Sequence, residues 1–66
     1  MTYSYNKLWK LLIDKKMKKK DLEALAGVAS STIAKMSSEQ AVSLDVLGRI
    51  CKVLQCNIGD IVDVIY

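Results

Sequence analysis

The stretch KKDLEALAGVASSTIAKM, Lys19–Met36, decides how the rest of the chain is read. Leu22, Leu25 and Ala26 recur at the three- and four-residue spacing that gathers side chains on one face of a helix. Gly27 follows at once. Glycine adopts the left-handed conformation that commonly ends a helix without the Cβ clash other residues meet there. The helical pattern then restarts. Over residues 30–37, Ile33 and Met36 point one way with Ala29, while Ser31 and Lys35 project to the other side. The reading is two short helices, 19–26 and 30–37, joined across a glycine. The second has a narrow buried edge and a small, polar outer edge.

Working outward, residues 5–17 form a first helix. Leu8, Leu11, Leu12 and Lys15 share one face, Lys7, Lys10 and Asp14 lie opposite, and Trp9 and Ile13 widen the apolar arc. On the other side Ser43 is a suitable N-cap, because its hydroxyl accepts an orphan backbone N–H, and Asp45 suits the positive end of the dipole. Leu47, Ile50, Cys51 and Leu54 then make an apolar stripe over 44–54. Asn57 with Asp60 three positions on resembles a capping box for a last helix, 58–63, with Ile58, Ile61, Val62 and Ile65 on its face. Whether Val64–Tyr66 continue as helix or as strand is left open by the pattern. The expected fold is all-α: a compact single domain over residues 1–66, with five helices closing around Leu8, Leu12, Leu22, Ile33, Leu47 and Leu54.

Composition agrees with that class. The chain has 66 residues, 52% of them apolar, with three glycines and no proline, which favours helix over a turn-rich β fold. So short a chain buries only about 60% of its unfolded surface, so association with another copy would help it. The net charge of +3 is uneven: residues 1–36 carry a local +5 and residues 37–66 a local −2. A positive face of this kind steers toward a polyanion. Histidine is absent, and Cys51 and Cys56 are the only cysteines. Two thiols fall short of the four ligands of a structural zinc site, and their spacing is not that of a redox CxxC pair. Both sit among apolar residues and are expected to be buried, reduced thiols of a cytoplasmic protein. No leader-like start and no long apolar run suggests export or a membrane. Without histidine, a base beside either thiol or a glycine-rich phosphate loop, no enzyme is expected, nor a metal or cofactor.

Two short helices across a glycine, the second polar on its outer face, fit the description of a helix-turn-helix. Lys19–Met36 resembles the bipartite motif of lambda-repressor-like (Cro/CI-type, xenobiotic-response-element) regulators. SLDVLGRICKVLQCNIGDIVDVI, Ser43–Ile65, resembles the fourth and fifth helices of that domain, and YNKLWKLLIDKKM, Tyr5–Met17, serves as its first. The resemblance implies a sequence-specific, DNA-binding transcriptional regulator whose third helix enters the major groove. The positions matching base contacts are Ser30, Ser31 and Thr32, with Lys35 a turn further on. Hydroxyls pair with several base edges, and a lysine ammonium reaches the O6 and N7 of guanine.

Lys18, Lys19 and Lys20 carry an argument of their own. Three positive charges at a helix start oppose the macrodipole, at about 0.3–1 kcal/mol each before Asp21 and Glu23 offset part of it. A phosphate there meets free N–H groups and ammonium groups together, and the resemblance implies backbone contact at this same helix start. Ser37, Ser38, Gln40 and Ser43 are further phosphate donors on this reading. The sequence departs from the family pattern at Lys18 and Ala29, where capping hydroxyls are usual, at Glu23, where alanine is common, and in the loop SSEQA.

The expected partners are double-stranded DNA and a second copy of the chain, with half-sites ~34 Å apart. No small-molecule effector domain is expected in this length. The rival reading is a protein-binding module, an antitoxin or co-regulator, using Val46, Val53, Val64 and Trp9 as apolar surface left over from the core.

Overall fold

The computed structural model describes residues 1–66 throughout. Strand β1 (Thr2–Ser4) leads into helices α1 (Asn6–Asp14), α2 (Lys19–Ala26), α3 (Ser30–Ser37) and α4 (Leu44–Leu54). A single 3-10 turn (Ile58–Asp60) and strand β2 (Asp63–Ile65) follow. The all-α class holds, and the expected count of five helices is corrected by this order. There are four α-helices, the expected helix 58–63 is replaced by a 3-10 turn over Ile58–Asp60 that runs into β2, and the two ends form an antiparallel ribbon. Thr2 pairs with Ile65, Tyr3 with Val64 and Ser4 with Asp63. The β-branched residues Ile61, Val62, Val64 and Ile65 suit extended chain better than a helix. Asp60 Oδ2 accepts the Asn57 N–H at 2.9 Å, so the capping interaction is present but starts only one turn.

The core joins Leu8 and Leu12 of α1, Leu22 and Ala26 of α2, Ile33 and Met36 of α3, and Leu47, Ile50, Cys51 and Leu54 of α4. Tyr5, Val28 and Ile61 complete it from outside the helices. Helix α2 packs chiefly on α4 and then on α3. Its buried line therefore runs through Leu22 and Ala26, one turn apart, and Leu25 falls to the side at 64% exposure. Ile13 at 73% and Ile65 at 50% likewise point outward, against the expectation that they extend apolar faces. Ala29 is exposed, and Val28 in the turn is buried in its place. Cys56 is only half-buried, whereas Cys51 is buried.

Each α-helix ends in the same way. Lys16, Gly27, Glu39 and Gln55 all have φ between 54° and 65°. In each case the residue after it donates its N–H to a carbonyl five positions back: Met17 to Leu12, Val28 to Glu23, Gln40 to Lys35 and Cys56 to Cys51. These bonds satisfy carbonyls that a helix end otherwise leaves orphaned. The left-handed Lys16 is also why α1 stops at Asp14 and not near residue 17. At the other end of α4, Ser43 Oγ accepts the Val46 N–H at 3.2 Å, the cap that its sequence position suggests.

Tyr5 anchors the start of α1. The residue is 2% exposed, and its hydroxyl donates to the Gln40 carbonyl at 2.8 Å, tying the start of α1 to the loop after α3. Burial pushes the Tyr5 phenol up from its ordinary 10.0, against the Val42 backbone amide, which lowers it, and with Tyr3, which raises it. The Cys51 thiol is pushed up from 9.0, first by burial. Both groups hold their protons more tightly in the folded chain than in the unfolded one. Their stabilising effect is complete below the unfolded values and is lost as pH rises through and above them. The urea midpoint should therefore decline once pH passes 9.0 and again past 10.0. Tyr5→Phe should cost about 1 kcal/mol at neutral pH through the lost hydrogen bond, yet flatten the alkaline decline. An unchanged alkaline slope in that variant would remove Tyr5 from the account.

Candidate nucleic-acid interface

The turn between α2 and α3 is set by Gly27 at φ 65° and ψ 39°, with Val28 buried beneath it. Arg49 of α4 reaches the Gly27 carbonyl at 3.5 Å while pairing with Asp45 at 3.0 Å, so α4 supports the turn from below. Sequence reading missed this role of Arg49, because nothing local marks a contact 22 residues away.

Helix α3 begins on Ala29, whose extended backbone stands at the cap position without a side-chain hydrogen bond. Its carbonyl accepts from Thr32 at 3.0 Å and from Ile33 at 3.2 Å. The N–H groups of Ser30 and Ser31 lie ahead of that first bond and point out of the helix start. With Ile33 and Met36 buried, Ser30, Ser31, Ala34, Lys35 and Ser38 are all exposed. Their spacing makes one continuous outer stripe. Thr32 does not belong to it. It is half-buried and lines a groove of about 250 Å³ with Lys35, Ser43 and Val46. Ser30, Ser31 and Lys35 are therefore brought together on one face, and Thr32 stands on its shoulder beside Ser43.

The lysine cluster is resolved unevenly. Asp21 Oδ2 accepts the backbone N–H of Lys18 at 2.9 Å, which relieves the start of α2 without involving the lysine's ammonium. Lys19 Nζ donates to Ser37 Oγ at 2.9 Å and sits over the Trp9 ring, 4.3 Å from its centroid. Ser37 in turn donates to the Ile33 carbonyl at 3.1 Å. Two of the phosphate candidates thus hold each other, and Trp9 joins them as a platform that the sequence did not reveal. One of three ammonium protons is engaged in that bond, so Lys19 keeps donors for an anion.

Lys18, Lys20 and Lys35 are exposed and take part in neither of the chain's ion pairs, which join Lys7 to Asp63 and Arg49 to Asp45. Ser38 and Gln40 lie beyond the end of α3 with exposed side chains. The Gln40 backbone is committed to Lys35 and Tyr5. No cluster of three or more cysteine, aspartate or glutamate side chains is placed to hold a metal ion. No helix is long and apolar enough to cross a membrane.

A family model described as a Cro/C1-type helix-turn-helix DNA-binding domain matches residues 7–65. Among solved structures, the chain is similar to the crystal structure of the transcriptional regulator VanUg, Form II, with a TM-score of 0.90 and 53% sequence identity. That likeness covers 94% of this chain and 83% of the other. No curated protein sequence matches.

Proposed function

Because the chain belongs to the Cro/C1-type helix-turn-helix DNA-binding family, we propose that it is a sequence-specific transcriptional regulator that inserts α3 into the major groove of duplex DNA. One observation carries the reading: the exposed stripe Ser30–Ser31–Ala34–Lys35 stands directly opposite the buried Ile33 and Met36. Small side chains at Ser31 and Ala34 let the backbone approach the groove floor, and Lys35 reaches acceptors on guanine. Thr32 contacts the flank of the same site. Lys18, Lys19 and Lys20 at the start of α2, and Ser37, Ser38, Gln40 and Ser43 beyond α3, hold the phosphates on either side. On this reading the protein acts in the cytoplasm, catalyses no reaction and needs no cofactor.

A homodimer on a two-fold operator is part of the proposal. It is supported by an apolar groove of about 270 Å³ beside the ribbon, lined by Tyr3, Tyr5, Val42, Leu47, Val62 and Val64. Val64, which lines it, is half exposed.

The test is selection of binding sites from a randomised duplex pool. The unmodified chain should enrich a defined half-site. Ser31→Ala and Lys35→Ala should each relax preference at one or two positions, by about 1–3 kcal/mol per affected base pair. An unaltered preference in both variants would remove α3 from base reading. A chain that enriches no sequence would favour the protein-binding alternative.

A further inference from the structure

The turn that closes α4 brings together the chain's two cysteines. Gln55 has φ 54° and ψ 54°, and the Cys56 N–H donates to the Cys51 carbonyl at 3.1 Å. In a helix-closing turn of this kind the side chains of the two bonded residues frequently pack on each other. Here both are thiols. With standard bond lengths, a carbonyl-to-amide bond this short keeps the two Cα atoms within about 7 Å, at or inside the span a disulfide bridges. The effect of Cys56 on the Cys51 thiol, second only to burial in pushing it up, is consistent with the two side chains lying side by side.

The two sulfurs differ in access. Cys51 is buried, whereas Cys56 opens onto a cleft of about 450 Å³ between α1 and the end of α4. Lys7, Lys10 and Lys15 line that cleft, together with Asp14 and Asp60. Lys7 is held by Asp63 at 3.0 Å, while Lys10 and Lys15 take part in neither ion pair. Free ammonium groups lining the cleft that leads to an accessible thiol draw an anionic reagent toward it.

We propose that Cys51 and Cys56 are a closable dithiol, oxidised by an anionic low-molecular-weight disulfide that enters through the lysine-lined cleft. The Cys56 thiolate attacks one sulfur of the incoming disulfide, whose S–S bond breaks. The first thiolate leaves and takes up the proton that Cys56 gave. Cys51 then loses its proton and attacks Cys56 Sγ, expelling the second thiolate, which takes that proton in turn. Two protein S–H bonds are lost, one S–S bond is formed, and the reagent is reduced to two thiols. The new bond staples the last turn of α4 to the segment leading into the 3-10 turn and β2. It uses no residue of the α3 stripe, so it stands independently of the proposed DNA reading.

The test treats the full chain with oxidised glutathione, blocks remaining thiols by alkylation and measures the intact mass. The expected product has no free thiol, is lighter by two hydrogens and reverts with dithiothreitol. Cys51→Ala should stop at a lasting glutathione adduct on Cys56, and Cys56→Ser should leave Cys51 unmodified, with circular dichroism confirming that both variants are folded. A lasting adduct on the unmodified chain, a disulfide-linked dimer, or two thiols that remain free would each overturn the proposal. Lys10→Glu with Lys15→Glu should slow the reaction several-fold with glutathione disulfide but not with uncharged hydroxyethyl disulfide. Equal slowing with both reagents, or none with either, would overturn the role given to the lysines.

Discussion

Ile50→Ala is expected to remove about half of the folding free energy. Ile50 is fully buried in the middle of α4, the helix against which α2 chiefly packs. Truncating such a side chain costs about 2–5 kcal/mol, the sum of lost transfer energy and the cavity left behind. A chain of this size has a total stability of roughly 3–10 kcal/mol, so the loss moves the urea midpoint a long way and brings the variant near unfolding at ambient temperature. The informative comparison is Leu25→Ala. Its spacing in the sequence marks it as a core residue, yet at 64% exposure it should change stability by only about 0.5 kcal/mol or less. Similar midpoints for the two variants would contradict the packing described for α2 and α4.

Replacing Lys18, Lys19 and Lys20 together by glutamine should weaken binding to every duplex, specific or not, by an order of magnitude or more. Each phosphate contact removed lowers the slope of log affinity against log salt by roughly 0.9. Sequence preference should be unaffected, which separates these residues from Ser31 and Lys35. The single variants should differ. Lys20→Gln removes only an exposed charge, whereas Lys19→Gln also removes the stack on Trp9 and the bond to Ser37. Trp9 is the only tryptophan, so its fluorescence should shift in Lys19→Gln without DNA and stay constant in Lys20→Gln. A salt slope equal to that of the unmodified chain in the triple variant would show that the start of α2 does not touch the backbone of DNA.

What the sequence discloses depends on whether the deciding interaction is local. The α2–Gly27–α3 unit and the start of α4 were legible because glycine occupies the left-handed position and serine the cap. The ends of α3 and α4 were legible too, since the apolar spacing stops where the helices do, at Ser37 and Leu54. The end of α1 was not, since Lys16 adopts the left-handed conformation with a full side chain and no residue type announces it. The ribbon escaped for another reason. Its strands have three residues each, too few for an alternating pattern, and they pair across nearly the whole chain. At the site, periodicity alone separates the outer stripe Ser30, Ser31, Lys35 from the buried Ile33 and Met36. The shoulder position of Thr32 and the meeting of Lys19, Trp9 and Ser37 arise from how α1, α2, α3 and α4 cross, which no single helix encodes.

The pairing of Thr2 with Ile65 makes the backbone very nearly a ring. Closing that ring spans the longest loop the chain can form, so its entropic cost is the largest of any contact in the molecule, though it grows only with the logarithm of length. The ribbon is therefore the contact that folding can least easily begin with, and the helices must supply the frame on which it closes. The same adjacency means that a few linking residues would join the two ends without disturbing a helix. New termini could then be opened in an exposed loop, such as that between α3 and α4, and the same bundle would be spelled in a different order.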